Sequence, residues 1–112
     1  TWYVGLKGAG TVAAGDTMSS HSGWSENTDY SQSVRQTLTL GTASSGSIDN
    51  TGNLATYTIN GTATIAGAFI TSDNTKSGTS GTLYGAVDFS SSRSVISGDT
   101  LTVTVTLTAA SA

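Results

Sequence analysis

The sequence predicts an all-β domain, a single two-sheet β-sandwich of jelly-roll or immunoglobulin-like kind with about seven or eight strands. Three observations carry that expectation: apolar and polar residues alternate in several short runs, threonine, serine and glycine dominate the composition, and turn signals separate the runs. In the clearest run, Leu101, Val103, Val105 and Leu107 alternate with Thr102, Thr104, Thr106 and Thr108. A period of two over that length places one set on each face of a strand and cannot make a stripe on a helix. Threonine is β-branched and suits the wet face of a sheet, whereas serine and glycine supply turns and weaken helices. Disorder is the competing reading of such a composition. It fails because the apolar residues fall in ordered runs. At 112 residues the chain has the length of one domain, expected to span 1–112.

Along the chain, Trp2, Val4 and Leu6 are expected to point inward from a first strand. A long irregular excursion follows near 13–33 and carries Met18, His21, Trp24 and Tyr30. Such a loop within a compact domain is usually functional or held down by its own aromatics. Asp16 is placed to cap one short helical turn through Ser20, with Gly15 and Gly23 limiting its length. Leu38 and Leu40 are inward on a strand near 34–40. Leu83, Val87 and Phe89 form a further inward row with Gly85 between them.

The runs 54–59 and 63–71 flank Asn60-Gly61, a dipeptide that commonly turns a hairpin. A two-residue loop would set Ile59 against Thr62 and Tyr57 against Thr64, mixing apolar and polar residues on one face. The expectation is therefore an odd-length loop, or two strands that lie in different sheets. Phe69 then joins the core face and Ile70 points away from it.

The groups needed for catalysis are sparse, and no enzymatic activity is expected. His21 is the single imidazole, no G-x-S-x-G elbow occurs, and serines on either side of it lie in a polar run. A glycosidase needs two carboxylates across a cleft. Asp16 and Asp99 each open a Gly-Asp-Thr turn, Asp49-Asn50 and Asp73-Asn74 read as Asx turns, and Glu26 and Asp29 share the long loop. There is no calcium-loop pattern, and one histidine without cysteine gives no zinc set, so no metal or cofactor is expected. The chain starts at Thr1, and the expectation is that a leader or a longer start has been removed.

The net charge is −3 and the cations are Lys7, Arg35, Lys76 and Arg93, too few for a stripe that would neutralise a phosphate backbone. Apolar runs are broken by Thr or Gly well short of the roughly eighteen residues a bilayer span needs. Neither nucleic acid nor membrane is an expected partner. Exposed aromatics often serve recognition. Tyr3, Trp24, Tyr30, Ile70 and Tyr84 are the candidates for a protein interface.

Several segments in order resemble a group of small phage-encoded virion proteins. They are Trp2-Tyr3-Val4-Gly5-Leu6, then Ala14-Gly15-Asp16-Thr17-Met18 with Ser20-His21-Ser22-Gly23-Trp24, then Tyr57-Thr58-Ile59-Asn60 and Ile65-Ala66-Gly67-Ala68-Phe69, and last Ser97-Gly98-Asp99-Thr100-Leu101. The resemblance spans nearly the whole chain. It implies a β-sandwich carried on a bacteriophage particle, without enzymatic activity. Proteins of this kind decorate or cement the capsid, often as trimers, or form tail and fibre modules. Capsid decoration is the expectation here, with the major capsid protein and copies of the chain itself, as a homotrimer, for partners. A host-surface glycan-binding tail module is the alternative. The shared motifs belong to strands and turns, so the resemblance assigns no functional residue.

Overall fold

The computed structural model describes residues 2–13, 15–42, 44, 46–50, 52 and 54–108, the side chains of Ser90, Leu107 and Thr108 excepted. Within them the fold is all-β with no helix. The strands are β1 (Tyr3–Gly10), β2 (Trp24–Asn27), β3 (Gln36–Thr37), β4 (Ser47–Asp49), β5 (Ala55–Thr58), β6 (Ala63–Thr71), β7 (Leu83–Val95), β8 (Thr100–Val103) and β9 (Thr106–Thr108). One sheet runs β2-β1-β6-β7, with β3 sharing the outer edge of β1. Two antiparallel ribbons, β4-β9 and β5-β8, complete the fold.

Alternation in β1 sends Val4 and Leu6 to one face of the large sheet and Gly5 and Lys7 to the other. Cross-strand register extends the faces over β6 and β7. Leu6 lies opposite Ala68 and Val4 opposite Ile70, while Val87 and Gly85 continue those rows. On the reverse face Gly5, Phe69 and Ala86 form one row, and Lys7, Gly67 and Asp88 form the next.

The two faces are covered by different means. Over the first lies the β5-β8 ribbon, so that Val4, Leu6 and Ile65 share a core with Ala55, Tyr57 and Val103, closed at one end by Tyr30 and Ile59. The Tyr57 hydroxyl donates to the Val4 carbonyl and fixes the ribbon to the sheet. Over the second lies the 13–33 segment, which is not irregular throughout as expected, since its residues Trp24–Asn27 form β2 on the edge of β1, and its Met18 and Trp24 pack on Phe69 beside Leu83 and Ala86. Each of these large side chains contributes about 1.5–3 kcal/mol by leaving water. The Phe69 ring comes so close to β1 that a Cβ on Gly5 would stand 2.1 Å from its Cζ, so glycine is required there for space.

The alternating run 101–108 is a strand as expected, interrupted at Thr104 and Val105 into β8 and β9. Val103 is buried and Leu101 and Val105 half-buried, while the side chain of Leu107 lies outside the described set. Asn50 spans the interruption: its Nδ2 donates to the Val103 carbonyl at 3.1 Å and its Oδ1 accepts from the Val105 amide at 2.8 Å. Asn50 was expected in an Asx turn. It instead sits buried, replacing the backbone partner the break removes. The Asp73 turn is as expected, with Oδ1 accepting from the Thr75 amide.

Asn60-Gly61 joins strands of different sheets, the second of the two outcomes foreseen, because β5 pairs with β8 and β6 with β1 and β7. Four other expectations are corrected. Asp16 caps no helix: residues 17–20 make a tight turn closed by Thr17 and Ser20, and the carboxylate accepts from the Ala13 amide and the Trp24 indole. Trp2 is exposed, stacked edge-on against Tyr84, since the ribbons do not reach that end of the sheet. Ile70 does not point away from the core; it packs partly against the ribbon side, both faces of β6 being covered. The Leu83, Val87, Phe89 row is split, because a register shift between Ile70 and Thr71 turns Leu83 to the loop-covered face, and Val87 is left at the surface.

Candidate functional site

The loop that carried most of the candidate chemistry uses its polar groups for structure. Arg35 is fully buried and holds Glu26 in a two-pronged pair, Nε to Oε2 at 2.9 Å and Nη2 to Oε1 at 2.7 Å. Its remaining donors reach the carbonyls of Asp73 and Gly78, and its guanidinium lies over the Phe69 ring, 5.0 Å from the centroid. Glu26 also accepts from the Ser77 amide, so both oxygens are engaged and neither is free to act as a base. Asp29 is tied to Asn27. His21 stacks on Trp24 with centroids 3.9 Å apart, and its Nδ1 is 3.0 Å from the Trp24 carbonyl oxygen. Among the described residues no three His, Cys, Asp or Glu side chains converge as a metal set.

Lys7 is buried too, and the register explains how. It shares a row with Gly67 and Asp88, and the bare glycine lets the lysine cross β6 and meet Asp88 Oδ1 at 2.6 Å. Its other donors satisfy the carbonyls of Gly8 and Gly10, so all three ammonium hydrogens have acceptors. Lys76 is occupied by the Tyr30 and Gln32 carbonyls and lies over the Tyr30 ring. Three of the four cations are thus spent within the fold. Arg93 is exposed and makes no ion pair or hydrogen bond among the described residues.

Of the five interface candidates, the structure moves two to the interior. Trp24 and Tyr30 are core residues, because the long loop folds down on the sheet and carries them beneath it. Tyr30 packs edge-on against Tyr57, and burial first, then the nearby Glu26 charge, push its hydroxyl well above the usual tyrosine range against the opposing Arg35 charge. Burial does the same to Tyr57. The Tyr30 hydroxyl has no hydrogen-bond partner among the described residues. Tyr3 is half-buried at the sheet end.

The other two, half-buried Ile70 and exposed Tyr84, form the shared wall of two apolar hollows. The smaller, about 90 Å³, is completed by Trp2, Leu38 and Leu40. The larger is a groove of about 390 Å³ between β7 and the 103–106 stretch, where Val87, Phe89, Val103 and Val105 join them. Tyr84 is 59% and Val87 66% exposed. Scattered surface apolar residues need no explanation, and here the apolar side chains adjoin one another around two hollows. Sequence reasoning missed Trp2 and Val87 here because it assigned them inward, whereas Phe89 does pack partly against the core as expected. The alternation was right, and what it could not show is that the covering layer ends before it reaches Trp2 and Val87.

Comparison of the chain with family models, with curated proteins and with solved structures returns no match.

Proposed function

We infer that this chain is a non-enzymatic structural protein of a bacteriophage particle, a decoration or cement protein seated on the outside of the head, and that the apolar side about Ile70, Tyr84 and Val87 is the surface it binds with. That exposed apolar surface is the observation that carries the reading. The order of segments resembling small virion proteins supports it, and so does the use of Glu26, Asp29 and His21 as loop fasteners. The fold is read as a two-sheet sandwich of jelly-roll or immunoglobulin-like kind, the ribbons forming a second layer over the large sheet. Partners are the major capsid protein and further copies of the chain, as a trimer. Symmetry multiplies such contacts, so each copy needs only a modest area. The glycan-binding alternative relied on Trp24 and Tyr30, and their burial leaves it without those residues.

A reconstruction of the particle tests the proposal. Density for the domain is expected on the outer head surface, with β7 turned toward capsid protein or a neighbouring copy. Heads that lack it are expected to lose resistance to heat and osmotic shock. Location on the tail, or equal resistance without it, overturns the reading.

A further inference from the structure

The groove is bounded on one side by a strand edge, and that decides what it can hold. Residues 84–89 and 103–106 line it consecutively. A strand that shows only a face offers every second residue, so the unbroken run 84–89 means that β7 turns its edge to the groove. Among the described residues β7 pairs only with β6, so that edge is open. The opposite wall is the break between β8 and β9, where the Val103 carbonyl and the Val105 amide are held by Asn50. One row of backbone donors and acceptors therefore flanks an apolar floor. The strands diverge from the turn at 96–99, and toward that end a second hollow of about 250 Å³ shares Phe89, Val103 and Thr104 with the groove and adds Arg93.

Gly85 leaves room beside that edge. It lies within β7 next to the register shift between Ile70 and Thr71, where a strand glycine commonly marks a bulge. A Cβ there would meet nothing within 4 Å, so its bare backbone opens on the groove.

We propose that this groove takes an extended peptide strand from a partner protein, apolar at alternate residues and bearing a carboxylate that pairs with Arg93. The proposal rests on the reading of the β7 side as a binding surface, and it names the partner's chemistry. Strand addition would satisfy the free edge of β7, with alternate side chains filling the space beside Gly85, Val87 and Val105. An acyl chain could fill the same apolar volume, but it would leave that edge without hydrogen-bond partners. The charge follows from Arg93, whose side chain has no partner among the described residues in a chain of net charge −3.

The test uses the isolated 112-residue chain, isotopically labelled for NMR, and a synthetic octapeptide alternating valine and threonine, blocked at its N-terminus and ending in glutamate. Binding is expected to perturb amides in 84–89 and 103–106 and to slow hydrogen exchange in 84–89. Replacing the peptide's terminal residue by glutamine amide, or Arg93→Gln in the protein, is expected to weaken binding about tenfold, because each removes one partner of the charge pair. Gly85→Val is expected to block it by filling the groove. Should that variant misfold, the exposed Arg93→Gln carries the test. No perturbation at millimolar peptide, perturbation elsewhere, equal affinity of Arg93→Gln, or full displacement of the peptide by dodecanoate overturns the proposal. Particle location does not enter this experiment, so its failure and that of the virion reading are separable.

Discussion

The two sides of the large sheet reverse the usual placement of polarity. Near β1 both faces are closed and the interior holds charge: Lys7 and Arg35 are buried, each against a carboxylate. Near β7 the covering layer stops, and the surface holds apolar groups instead, with Trp2, Tyr84 and Val87 in the open. The closed side shows how a chain with few charged residues uses them as internal fasteners, with all three ammonium hydrogens of Lys7 and four of the five guanidinium hydrogens of Arg35 on acceptors. The open side shows apolar surface that folding alone does not bury. Such surface in a small domain is what a partner would cover.

The strongest way to break the closed side is Arg35→Ala. It strands Glu26 in the interior and unties β2 and the loop between β6 and β7, with an expected loss of about 3–5 kcal/mol in urea or guanidinium unfolding. Arg35→Lys should recover little of this, since an ammonium cannot reproduce the two-pronged geometry.

Two glycines give the sharpest contrast between the sides. Gly5→Ala drives a methyl into the Phe69 ring and is expected to cost about 1–3 kcal/mol. Gly85→Ala meets open space within a strand and is expected to stabilise by about 0.5–1 kcal/mol. Thermal unfolding of both variants checks the pair, and equal effects would erase the distinction between the sides.

The two buried tyrosines separate a used hydroxyl from an unused one. Tyr57→Phe loses the bond to the Val4 carbonyl and should cost about 1–2 kcal/mol, whereas Tyr30→Phe removes an unpartnered hydroxyl and should be neutral or slightly stabilising. Both hydroxyls have folded-state pKa values raised above the ordinary 10.0, chiefly by burial. Below that pH they are neutral in both states and their contribution is fully present. Above it the unfolded chain ionises first, so stability falls as the pH climbs. Absorbance of tyrosinate during alkaline titration is expected to show these two ionising only as the chain unfolds.

The smallest effects on stability belong to the open side. Tyr84→Ser and Val87→Ser should each change stability by no more than about 0.5 kcal/mol, while each weakens attachment to heads in a sedimentation assay. Loss of folding in either variant would mean that these residues serve the core after all.

Much of the fold was legible because alternation is a local signal. Val4, Leu6 and Val103 are inward as their runs predict, and the clash of polar and apolar residues across Asn60-Gly61 correctly warned against a simple hairpin. What alternation cannot tell is which face meets which layer, or where a layer ends. Val87 and Trp2 were misplaced for that reason. Trp24 and Tyr30, named as interface candidates, instead hold the 13–33 segment down, the other outcome its aromatics allowed, and a segment without a sustained period offers nothing local to choose between the two. The register shift beyond Ile70 reverses the parity on which the Leu83 row depended. The surface was half legible: Ile70 and Tyr84 were named, but Gly85 and Arg93 gain meaning only from the groove between them.

Amide hydrogen exchange on the isolated chain tests the central claim most directly. The account predicts that β1 and the β6 amides facing it exchange only through global unfolding, while the outward amides of 84–89 exchange at least about a hundredfold faster. Protection of those outward amides equal to that of β1, in the absence of any partner, would mean that the outer edge of β7 is already paired and would contradict the account.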